Sequence, residues 1–128
     1  MEPLSIDVSV VPGSGTSRLM VLRGSVNDAG TILLQEEVAR LRGETVDGII
    51  VDMEGVDFIS SAGMSVLVTL AGEVETAGGS VALVRVGPRV QAVFDMLGLN
   101  DFFRRFRSRD EAARAVARRE PAAAPAAP

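Results

Sequence analysis

Apolar and polar residues change rhythm along this chain, and each change marks an element. Ile6, Val8 and Val10 alternate with Asp7 and Ser9, the period of a half-buried strand. Residues 12–15 (P-G-S-G) form a turn cluster. The apolar run 17–23 then reads as a second strand, joined to the first as a hairpin. Residues 24–30 read as a loop in which Asn27 or Asp28 can cap the next helix. Between 31 and 42, Leu34, Val38 and Leu41 recur at i, i+4 and i+7, with Gln35, Glu36, Arg40 and Arg42 mainly on other faces. That spacing predicts an amphipathic helix, with Gly43 placed to end it.

Residues 48–51 are apolar without alternation, as suits a central strand covered on both faces. Asp52 follows, residues 54–57 are expected to turn, and Phe58 and Ile59 to return to the core. Ser60 and Ser61 precede a helix expected over 62–77 and closed by Gly78 and Gly79. A strand is expected over 80–86. Gly87 and Pro88 open another helix, with Val90, Val93, Phe94 and Leu97 at helical spacing and Gly98 at its end. Phe102, Phe103 and Phe106 anchor a short extended piece. Ser108 and Glu111 form a capping box for a last helix reaching Arg119. The order β-β-α-β-α-β-α-(β)-α implies an α/β (mixed α+β) domain, a four- to five-stranded mixed sheet covered by about four helices. The domain is expected over 1–119. Residues 120–128, almost all Ala and Pro, are expected to be a disordered tail.

Composition removes most catalytic readings. At 128 residues and 47% hydrophobic content the chain is long enough for one core. No apolar run nears the ~20 residues of a membrane helix, and the N-terminus lacks the features of a signal peptide. A soluble cytoplasmic protein is expected. There is no histidine, cysteine or lysine. A Ser-His-Asp triad, a His-based zinc site, thiolate chemistry, a Schiff-base lysine and the P-loop lysine are therefore excluded. No cofactor, metal or catalytic residue is expected; a binding or switching role gains weight, and a small hydrolase has no base. Charge is uneven. Residues 1–103 hold six Arg and fourteen Asp/Glu, a net of −8, while residues 104–120 hold seven Arg and three Asp/Glu, a net of +4. The acidic body argues against nucleic-acid binding. Arg104, Arg105, Arg107 and Arg109 could touch phosphates, but a solvated edge and helix is the favoured explanation.

The paired serines are the candidate site. On local physics a serine here caps the helix, worth about 1 kcal/mol over alanine. Neither has Glu or Gln three residues on, so no capping box assists. The same geometry suits a phosphate, because a helix N-terminus favours negative charge. A hydrolase nucleophile elbow would need G-x-S-x-G, and position 59 is Ile. The following helix carries two apolar stripes, Met64, Leu67, Val68 and Ala71 on one side and Val66, Leu70, Val74 and Ala77 on another. In so small a domain this favours an exposed apolar patch, with packing in an oligomer or in the core as the alternative.

Taken together, the stretch 49–67, I-I-V-D-M-E-G-V-D-F-I-S-S-A-G-M-S-V-L, resembles the signature of the STAS domain, specifically of bacterial anti-sigma factor antagonists. Residues 22–28, 77–84 and 93–99 resemble the family's other conserved pieces, so the likeness spans about 4–116. The resemblance implies a phosphoprotein of transcription regulation that works by partner switching. Its unmodified form would bind an anti-sigma factor that is also an ATP-binding serine kinase, freeing the sigma factor. Phosphorylation at the start of the second helix would end that binding, and a serine phosphatase would restore it. Aligned on Phe58 and Gly63, the family's acceptor falls on Ser61, with Ser60 the weaker candidate. Ser60 stands where the family's D-S-S-G or D-S-T-G has Asp, and Ala62 where it has the second Ser or Thr. The implied partner surface comprises Asp28, Asp57, Ser60, Ser61, Ala62, Gly63, Met64, Val66 and Leu70. No nucleic-acid or membrane partner is implied, and a weak homodimer is allowed. The alternative is a STAS scaffold without a switch, an interaction subunit of a larger sensory or transport assembly, in which Ser61 is only a helix cap.

Overall fold

The computed structural model describes residues 2–117. Its strands are β1 (Ser5–Val10), β2 (Ser17–Val26), β3 (Gly48–Ile59), β4 (Ser80–Val84) and β5 (Arg104–Phe106). The helices are α1 (Asp28–Arg42), α2 (Ser61–Thr76), α3 (Pro88–Leu97) and α4 (Arg109–Ala117). The strands lie side by side in chain order. β1 runs antiparallel to β2, as a hairpin must, and every later neighbour is parallel because a helix makes each crossover.

The apolar run at the start of β3 is continuous because both faces of the sheet are covered. Ile49, Val51 and Met53, with Val81 and Leu83 of β4, point into the main core built with α1, α2 and α3. Ile50, Ala82 and Val84 point the other way, against Ala112 and Val116 of α4. The last helix thus supplies the second layer over the centre of the sheet. Its residues expected at 118 and 119, and the tail expected over 120–128, lie outside the described residues.

Four expectations need correction. β3 does not turn at 54–57; it continues to Ile59. Twice it inserts an extra residue against β2: Val21 and Arg23 face Asp52 and Gly55, then Gly24 and Ser25 face Val56 and Phe58. The polar and Gly residues that look like a turn are bulges. The second bulge breaks the alternation, so Val56 and Ile59 both point inward and Phe58 is 39% exposed rather than in the core. β2 runs on through the expected loop to Val26, so α1 starts at Asp28. Finally, α2 offers no broad apolar face. It is wedged between the sheet and α1, which buries Met64, Leu67, Leu70, Ala71 and Val74 and leaves Val66 and Val68 half-buried. Its solvent side carries Ser61, Ala62, Ser65, Thr69, Gly72 and Glu73.

Candidate functional site

Parallel pairing sets the site. β2 and β3 end together, Val26 beside Ile59, so the helices that follow start side by side at one end of the sheet. Ser60 N donates to Val26 O at 3.0 Å, holding the two junctions together. Each helix start carries its own cap. Asn27 Oδ1 accepts from Gly30 N at 3.0 Å, which settles the choice between Asn27 and Asp28. Ser60 Oγ accepts from Gly63 N at 3.0 Å and lies 3.4 Å from Thr31 Oγ1 on α1.

The paired serines therefore divide. Ser60 is the N-cap, half-buried, its hydroxyl engaged with two elements. Ser61 is the first residue of the helix and exposed, with no hydroxyl partner among the described residues. The close approach behind them depends on Gly63: a Cβ there would meet Val26 Cγ1 at 2.5 Å and Ile59 Cγ1 at 3.2 Å. The first turn of α2 contains no acidic residue. An exposed hydroxyl at that position meets the partial positive charge of the helix end without competition from within its own turn.

Of the residues implied for a partner surface, Asp28, Asp57, Ser61 and Ala62 are exposed. Asp28 and Ser60 line one shallow hollow with Asn27, Ala29 and Phe58. Ala62 and Val66 line a second, between α1 and α2. Gly63, Met64 and Leu70 lie in the core instead; Met64 is 0% and Leu70 3% exposed, because both face the sheet and α1. Sequence reasoning missed Phe58 as a surface residue of this end. Its position beside an unrecognised bulge hid it.

A second group of charged side chains meets on the other face of the sheet. Asp52 is 2% exposed, yet it lies on the α4 face of β3. Its Oδ2 accepts from Arg109 Nε at 2.7 Å and lies 3.7 Å from an Arg85 nitrogen, while its Oδ1 accepts from Glu54 N at 3.0 Å. Arg85 also meets Glu54 at 2.9 Å. The available signal was an acid inside an apolar strand, which demands a buried partner. Arg109 is thus tied to the sheet rather than part of a solvated cluster with Arg104, Arg105 and Arg107.

The fold and this end of it define a small mixed-sheet α/β domain that presents a capped helix start with an exposed serine. The chain belongs to the STAS domain family, whose model matches residues 5–112. It is 32% identical over 94 residues to BtrV of Bordetella bronchiseptica, a protein provisionally named as an anti-sigma factor antagonist; the match covers 73% of this chain and 81% of that one. In three dimensions it superposes on an anti-sigma factor antagonist from Mycobacterium paratuberculosis with a TM-score of 0.76 at 18% identity, covering 89% and 94% of the two chains. The phosphorylated form of the Bacillus cell fate determinant SpoIIAA superposes with a TM-score of 0.68 at 20% identity, covering 88% and 99%. No helix among the described residues is long and apolar enough to cross a membrane.

Proposed function

We propose that this protein is an anti-sigma factor antagonist switched by phosphorylation of Ser61. The unmodified form binds an anti-sigma factor that is also an ATP-dependent serine kinase, and the sigma factor is released. Transfer of phosphate to Ser61 ends that binding, and a serine phosphatase resets it. The protein itself is a non-enzymatic partner and uses no cofactor.

The observation that carries this reading is the division of labour between the serines. Ser60 secures the helix start, so Ser61 is free to be modified without uncapping α2. A phosphate there gains from the helix end but adds roughly −1.5 to −2 charges to a face that already shows Asp28 and Asp57. The switch is then local: charge changes where the partner sits, and the fold does not. Incubation with the cognate kinase and ATP, followed by mapping with mass spectrometry, is expected to place a single phosphate on Ser61. Phosphate on Ser60, or none, contradicts it.

A further inference from the structure

The other end of the sheet carries the opposite charge. Residues 1–84 hold four Arg and twelve Asp/Glu, whereas residues 85–109 hold six Arg and two Asp. Four of these arginines, Arg85, Arg104, Arg105 and Arg107, lie on or beside the outermost strand, β5, which pairs with β4 alone. Arg85 N donates to Phe106 O at 3.1 Å, so the backbone groups of Phe106 face β4. Backbone direction alternates along a strand. The N–H and C=O of Arg105 therefore face the open edge.

Beside that edge lies an open hollow lined by Arg85, Val86, Gln91, Arg105, Phe106 and Arg107. Two of its arginines are fixed in place. Arg105 donates to Gln91 Oε1 and, at 3.0 Å, to Asn100 O, and lies over the Phe94 ring. Arg85 is held by Glu54 and sits at a left-handed φ of 56°, uncommon for a side-chain-bearing residue. Arg107 is exposed and without a partner among the described residues.

We infer that the β5 edge takes an extended acidic segment of a partner protein, added as a sixth strand with its carboxylates against Arg105 and Arg107. Strand addition supplies backbone hydrogen bonds, and the charges supply selectivity. The charge pattern also chooses the occupant. Charged edge strands repel their own kind, so two copies of this edge do not pair, while an acidic strand is attracted. The half-buried Phe106, on the face of the strand opposite Arg105 and Arg107, gives its apolar side chains a floor. This surface is remote from Ser61 in the fold and does not rest on the switch.

The probe is an alternating Glu-Val octapeptide, titrated into the full chain and followed by backbone amide NMR. Saturable shifts confined to β5, Arg107 and the hollow, with slowed exchange of the Arg105 amide, are expected. Arg107→Glu, whose fold circular dichroism verifies, is expected to weaken binding about tenfold. A Lys-Val peptide should not bind. Absence of saturable shifts, or an unchanged affinity in Arg107→Glu, overturns the proposal. So does binding of pyrophosphate at these residues in preference to the peptide, which would make the hollow a phosphate site instead.

Discussion

Adjacent serines of the same chemistry have different energetic duties. Ser60 satisfies an orphan N–H at the start of α2, and its removal leaves Gly63 N unpaired. Ser60→Ala is expected to cost about 1 kcal/mol, whereas Ser61→Ala should stay within about 0.5 kcal/mol of wild type. Denaturant titration of the two variants tests the division directly; equal losses would contradict it. Gly63 is the third member of this junction. Because an added methyl would press on Val26 and Ile59, Gly63→Ala should cost about 1–3 kcal/mol by the same measurement. At the opposite end, the carboxylate of Asp95 accepts from Asn100 Nδ2 at 2.7 Å and from Gln91 Nε2 at 3.0 Å. These bonds, Asn100 first, favour its charged form and hold its pKa below the ordinary value. Its small contribution to stability is present above the ordinary carboxylate range and lost as pH falls through the lowered value. An NMR pH titration should therefore find Asp95 titrating low, and Asn100→Ala should move it upward.

At the scale of elements, the strand-to-helix junctions explain both what was readable and what was not. Periodicity exposes whichever elements keep one rhythm: the alternating β1, the i, i+4, i+7 face of α1, and the doubly covered start of β3. It fails where the rhythm is broken on purpose. The two bulges of β3 look like a turn in sequence because bulges use the same Gly and acidic residues, and their effect on Phe58 depends on the register with β2. The apolar circumference of α2 was visible, but which side α1 would cover was not, since that contact lies between residues some thirty positions apart. Ser61 could be singled out from sequence; its freedom, and the engagement of Ser60, required the neighbouring helix. The tie between α4 and the sheet belongs to the same scale. Arg109 and Asp52 are 57 positions apart and meet only in the fold. Arg109→Ala should cost about 1.5–3 kcal/mol, read as a lowered denaturation midpoint, because it strips the nearest partner from a buried carboxylate. A change under about 0.5 kcal/mol would show that Arg85 suffices alone.

Across the whole molecule the two ends of the sheet are electrically distinct. The end bearing Ser61 shows Asp28, Asp57 and Phe58, and the β5 edge shows arginines. Helices cover both faces of the sheet, and the proposed switch acts by charge at the surface rather than by a change of shape. The proposed switch stands or falls on one comparison: the affinity of the anti-sigma factor kinase for the unmodified protein and for the protein phosphorylated on Ser61, with Ser61→Ala as control. The phosphorylated form is expected to bind at least about tenfold more weakly, a loss of about 1.4 kcal/mol, while Ser61→Ala binds like wild type. Equal affinities for the modified and unmodified forms would contradict the switch and leave a STAS scaffold in its place.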